Sequence, residues 1–290
     1  MISARRQPSV AIITDSSACL PPEEVAGLGI GVVPIVLVWN GHAMRDGYDI
    51  SPAQFWRRLA TENELPTTST MAPGDYLAVF ESSAEWAEAA VCVCIPRSLS
   101  TMAEAAGIAA QMIAGKLPVN IVLAGGAGMA AGFPALLAAR AAADGASVEA
   151  VVRTAERAVS HSAIVAVLDT LEYAARSGRV PGVIARVADA IPSSFVLRLS
   201  NGKVAVRARF GSRGRAVRGL VNHVVSHARN ASYIGVTVHH GSDEAEAHEL
   251  AEHVRSALRP DDLFVTSFTP VMGAHVGPGV VGLAYCALPA

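Results

Sequence analysis

Short apolar runs alternate with longer stretches of helical periodicity through the first half of the chain, the pattern of strands each followed by a helix. Residues 10–14 (VAIIT) form an unbroken apolar run of the kind a strand buried on both faces shows. Pro21-Pro22-Glu23-Glu24 then opens a helix, since proline and acids suit its first turn, and Gly27 or Gly29 ends it. Residues 30–39 (IGVVPIVLVW) read as a second strand, closed by the tight-turn pair Asn40-Gly41. Ser51-Pro52 starts another helix, whose Phe55, Trp56 and Leu59 recur at helical spacing. Residues 90–95 and 119–124 are further strands, followed by helices at 101–114 and 129–143. This alternation predicts a Rossmann-like α/β unit with a parallel sheet covered on both faces.

Beyond about residue 150 the pattern changes. Strands are predicted at 163–168, 195–199, 204–210, 233–238, 263–268 and 280–285, with helices near 147–160, 214–228 and 243–257. The turn Ser200-Asn201-Gly202-Lys203 makes 195–199 and 204–210 an antiparallel pair. The expectation is two closely apposed domains, residues 1–150 and 151–290, the second an α+β unit with a mixed or antiparallel sheet. No low-complexity linker separates them.

Composition narrows the functional classes. Of 290 residues, 51% are hydrophobic and only 5% aromatic, so an interior pocket would have aliphatic walls. Disorder is excluded at this apolar content. The formal net charge of −2 hides an uneven split, acidic in residues 1–150 and basic in 151–290, but no domain is basic enough to suggest nucleic acid. No stretch approaches the length of a membrane span, and Met1 to Arg6 has no signal-peptide core. Four cysteines do not make a disulfide scaffold, and Cys92 and Cys94 should share one strand face. The expected location is the cytoplasm.

Four loops rich in hydroxyls or glycine carry the candidate chemistry: Thr14-Asp15-Ser16-Ser17, Pro66-Thr67-Thr68-Ser69-Thr70, Arg97-Ser98-Leu99-Ser100-Thr101, and Gly273-Ala274-His275-Val276-Gly277-Pro278-Gly279. Ligands of open α/β sheets settle at the carboxyl ends of strands, and hydroxyls beside a helix start suit an anion. Such residues also serve as plain helix caps; Thr101 and Glu104 have capping-box spacing. Residues 125–132, from Gly125 to Gly132, follow a strand and lead into a helix, which admits an alternative reading as a nucleotide-dependent α/β enzyme. That loop lacks a clean Gly-x-Gly-x-x-Gly and a downstream acid. The His223/His227 pair has no acid between its members, the other histidines lack a ligand set, and no metal site is expected. Seven basic residues and no acid occupy 198–218, a solvated face or a docking surface for an anion.

Taken together, VAIITDSSACLP, VVPIVLVWNG, PTTST, SLST, DTLEYAARSGRV and AHVGPGVVGLAY resemble, in the same order, segments of the DegV family, the FakB-type fatty-acid-binding proteins. The resemblance implies a long-chain fatty acid clamped between two α/β domains, its chain in an apolar tunnel and its carboxylate held by hydroxyls. It places Thr68, Ser69, Ser100, His275 and Gly277 at the carboxylate and Arg179 at the head group or a partner. It also implies a carrier that presents the lipid to a fatty acid kinase for conversion to acyl-phosphate, is not itself the catalyst, and needs no cofactor. The chain departs from the family pattern at three places. Leu99-Ser100-Thr101-Met102 stands for Leu-Ser-Gly-Thr, Thr70 for the common glutamine, and Ala124-Gly125 for Asp followed by Ser or Thr. From the residues alone, Arg179 could instead pair with Asp169 or Glu172 and fix its turn.

Overall fold

A computed structural model describes residues 9–62, 64–69, 71–179 and 193–290; Met1 to Arg6 and Thr70 lie outside them. The first apolar run becomes β1 (Val10–Asp15), buried along its whole length, and α1 (Pro22–Leu28) follows, ending at Gly29 in the left-handed conformation. The predicted second strand is in fact two. Pro34 cannot donate to a ladder, and the chain leaves the first sheet there: β2 (Gly31–Val33) pairs with β1, while β3 (Val36–Trp39) joins a different sheet with β4 (His42–Arg45) and β5 (Thr67–Thr68). The loop expected at Thr67 and Thr68 is thus partly strand.

Helix α2 (Pro52–Leu59) starts in a full capping box between Ser51 and Gln54. After α3 (Pro73–Ser83) come β6 (Ala89–Cys94), α4 (Met102–Ile113) and β7 (Val119–Leu123). The first sheet is parallel, in the order β2-β1-β6-β7. The capping box expected at α4 does not form: Thr101 makes no side-chain cap, and Glu104 instead pairs with Arg97 at 3.3 Å.

Helix α5 (Met129–Ala143) is buried on nearly every face. It lies between the two main sheets, touching β1 and β6 on one side and β8 (Ser162–Leu168) and β13 (Val281–Pro289) on the other. That location explains its alanine-rich, all-round apolar sequence. Then come α6 (Val148–Ser160), α7 (Glu172–Arg176), β9 (Ser194–Ser200), β10 (Lys203–Phe210), α8 (Arg213–Ala228), β11 (Ala231–His240), α9 (Glu244–Leu258), β12 (Asp262–Ser267) and α10 (Pro270–Val276).

The large sheet runs β10-β9-β8-β13-β11-β12 and is antiparallel except for the last pair. Its two faces alternate cleanly. Ala163, Val165 and Val167 pack outward beneath α8 and α9, whereas Ile164, Ala166 and Leu168 face inward, into the core shared with α5 and the parallel sheet. Polar ties cross the same boundary. Arg140 of α5 pairs with Asp262 of β12, and the Trp56 indole of α2 donates to Ser267 Oγ at 3.0 Å.

Candidate functional site

The inward face of the large sheet does not close completely on its neighbours. A cavity of about 170 Å3 remains, floored by Ile164, Ala166 and Leu168 of β8 and by Leu197 and Leu199 of β9. Cross-strand pairing sets Ile164 opposite Leu199 and Ala166 opposite Leu197, which makes the floor two strands wide. Met272 and Val276 of α10, with Phe268, add further apolar wall. One water needs roughly 10–15 Å3 by the same kind of measure, so the space exceeds any ordinary packing defect.

Polar groups gather along the rest of the wall: Ser17, Thr68, Ser69, Ser100, Ser177, Arg179 and His275. Each is brought there by a different local device. Ser17 sits in a short 3-10 turn after β1, held by Asp15, which accepts from both its backbone N–H (2.9 Å) and its hydroxyl. Thr68 is on β5 and Ser69 follows it, its N–H donating to the Val36 carbonyl at 2.9 Å. Ser100 stands just before α4. His275 lies in the last turn of the seven-residue α10.

Thr68 Oγ1 and His275 Nε2 are 3.3 Å apart, while His275 Nδ1 is buried and unpaired. Burial, and then the nearby charge of Arg179, push the imidazole pKa down to about 4. A neutral ring with a hydroxyl on one nitrogen can receive a carboxylate as a hydrogen-bond relay. An arriving anion would also offset the Arg179 charge that holds the ring neutral.

Arg179 does not pair with either acid considered from the sequence. Asp169 binds Arg213 at 2.8 Å, and Glu172 binds Arg176 at 3.2 Å. The Arg179 guanidinium instead donates to the Leu99 carbonyl at 3.2 Å and to the Ser177 carbonyl. It thereby ties the loop that carries Ser100 to the end of α7. A second space of about 210 Å3 adjoins here, sharing Thr68, Ser177, Arg179 and His275 with the first and adding Tyr173 and Arg176.

Two candidates stand differently. Gly277 is not on the cavity wall: its N–H already donates to the Gly273 carbonyl at 2.9 Å. It has φ +75°, and a Cβ there would lie 2.3 Å from the Tyr173 ring, so the glycine permits close packing of that ring. The glycine loop from Gly125 to Gly132 is occupied by the protein itself. The Met129 N–H at the start of α5 donates to His239 Nε2 at 3.0 Å, and a Cβ on Gly128 would lie 3.1 Å from that nitrogen. His239 is fully buried, stacks on Phe268, and is kept neutral by burial, its pKa pushed down to about 3. The N-terminal amide that a nucleotide phosphate would need is already used.

Ser17 belonged to a singled-out loop but not to the expected set, and Ser177 was missed. The only sequence signal for Ser17 was its place after a fully apolar strand. The aliphatic floor carried no signal beyond the alternation of β8 and β9. Among the described residues no cluster of three metal-ligating side chains occurs, and no helix is long and apolar enough to cross a membrane.

The model of the DegV family, described as "Uncharacterised protein, DegV family", matches residues 9–288. A DegV domain-containing protein of Streptomyces coelicolor is 31% identical over 276 residues, covering 94% of this chain and 97% of its own. One from Clostridium acetobutylicum is 29% identical over 280 residues, covering 96% and 97%. Among solved structures, a DegV family protein from Thermus thermophilus, described by its fatty acid binding, superposes with a TM-score of 0.88 at 27% identity, covering 96% of this chain and 99% of that one. The fold, the full-length match and the curated relatives agree: the chain belongs to the DegV family.

Proposed function

We propose that this protein is a carrier that binds one long-chain fatty acid in the apolar cavity and holds its carboxylate at Thr68, Ser69, Ser100 and His275. The observation that carries the reading is the cavity: an aliphatic floor two strands wide with hydroxyls and one neutral imidazole on its remaining wall. Burying roughly 15 methylenes contributes on the order of 12 kcal/mol before ordering and association costs. The carboxylate needs several donors once it leaves water, and these four residues are the groups suited to supply them. The Thermus thermophilus relative, whose description names fatty acid binding, supports the ligand class. Gly277 contributes through the close seat it gives Tyr173.

In this reading the protein is not itself a catalyst. It presents the carboxylate to a fatty acid kinase in the cytoplasm. Arg179 serves the handover, since it lies where the cavity meets the second space. The binding claim is tested by titrating delipidated protein with palmitate. Thr68→Val or Ser100→Ala should each weaken binding by roughly 1.5–3 kcal/mol, the scale of a hydrogen bond to a charged group. Saturable binding unchanged in both variants would overturn the carboxylate assignment. For the handover, Arg179→Ala should retain fatty acid while slowing acyl-phosphate formation with a cognate kinase. Wild-type turnover in that variant would remove Arg179 from the role.

A further inference from the structure

The basic stretch 198–218 separates into groups with different surroundings. Arg213 is taken up by two carboxylates, Asp169 and Glu246, and Arg209 donates to Ser193 and lies over the Phe195 ring. Arg198 and Arg207 have no carboxylate partner among the described residues. They flank two histidines instead. His223 and His227 of α8 lie one turn apart with ring centroids 4.2 Å apart, and both rings pack near Tyr285 of β13, at 6.1 and 5.7 Å. His227 Nδ1 bonds the His223 carbonyl at 2.8 Å, which fixes the outer ring.

The cluster is cationic throughout. The charges that bear on His223 are His227, Arg198 and Arg207; those that bear on Tyr285 are Arg198 and Arg207. Among the described residues no carboxylate acts on either. His223 Nε2 is shielded from solvent and lacks a hydrogen-bond partner, and the buried Tyr285 hydroxyl meets the Arg198 guanidinium. Tyr285 is only 3% exposed. Unpaired buried polar atoms and uncompensated charge are each unfavourable in a folded protein, and an anion would relieve both together.

The geometry points to a second site, for a phosphate-class oxyanion, on the outer face of the large sheet, with donors from Arg198, Arg207, His223 and Tyr285. These four come from β9, β10, α8 and β13, so they approach from several directions. That suits the several acceptor oxygens of a tetrahedral phosphate better than the two of a planar carboxylate. Arg198 borders the cavity beside Leu197 and Leu199, but Arg207, His223 and Tyr285 do not line it, and Tyr285 packs in the outward cluster beneath α8. Three of the four donors thus lie off the fatty-acid cavity, and the case for the site does not rest on that reading. Free phosphate and the phosphomonoester head group of a lipid share the required chemistry.

The test follows the histidine ring resonances of the full chain by NMR while inorganic phosphate is added at constant ionic strength. Burial and its cationic neighbours push His223 down to about 4, and a bound anion opposes the second cause. Its titration should therefore move upward, saturably, with phosphate. Arg207→Gln, an exposed position outside the cavity wall, should weaken the response about tenfold, as loss of one charged contact implies, and leave fatty-acid retention unchanged. Arg198→Gln and Tyr285→Phe should weaken it as well; if either fails to fold, Arg207→Gln still decides. A parallel arm measures capture by phosphatidylcholine vesicles with and without phosphatidic acid. Capture that needs both phosphatidic acid and Arg207 identifies a lipid head group as the source, and a phosphate response without capture identifies free phosphate. No response in either arm, or an equal response to chloride or in Arg207→Gln, overturns the site.

Discussion

Asp46 illustrates how a single side chain sets the protein's dependence on pH. It is 2% exposed, and its carboxyl meets Ser16, Thr269 and the Val271 backbone rather than a cation. Burial pushes its pKa up to about 7, and the nearby Asp15, itself pushed up to about 6 by burial, acts in the same direction. An acid with a raised folded pKa favours folding most when protonated. Its contribution is complete below the ordinary value of 3.8 and is lost as pH rises toward 7. Histidines 223, 239 and 275 act oppositely, since their lowered pKa values cost stability as pH falls from 6.5 toward 4 and below. Asp46→Asn removes one side of this balance. It should stabilise the protein at pH 8 by roughly 2–4 kcal/mol and change little at pH 4, as read by urea unfolding at both values. Equal effects at the two values would mean that Asp46 is not held protonated.

At the scale of elements, the sequence was legible where one period ruled and opaque where tertiary packing decided. The alternating strands β8, β9, β10 and β13 and the capped helix α2 follow from local pattern. The split of residues 30–39 does not: the apolar run continues through Pro34, and only the missing N–H marks where the chain changes sheets. The hydroxyl loops were visible as chemistry, but their meeting depends on α10, a seven-residue helix with no strong signal of its own. The family resemblance implies a carboxylate role for Gly277, which ends α10, and its own close contact is with the Tyr173 ring. Gly277→Ala would strain a left-handed backbone and drive a methyl group into that ring. A loss of roughly 2–4 kcal/mol is expected, with reduced fatty-acid retention because α7 and α10 must separate. A variant with wild-type thermal stability and retention would show that this contact does not seat the two helices.

For the whole molecule, one physical consequence joins fold and function. Helix α5 and the inward sheet face cement the two units, yet the same face leaves a cavity with an aliphatic floor. A long apolar ligand would fill that floor, and the hydroxyl-lined wall suits its polar end. The nucleotide alternative requires free amides at the start of α5, and Gly128 and Met129 spend theirs on the Ser17 carbonyl and on His239. Native mass spectrometry of the protein as purified from cells, without added lipid, tests the account most directly. The prediction is an adduct of one molecule per chain with the mass of a sixteen- to eighteen-carbon fatty acid, lost on delipidation and restored by adding the acid. A nucleotide mass in its place, or bare protein that takes up no fatty acid in any preparation, would contradict it.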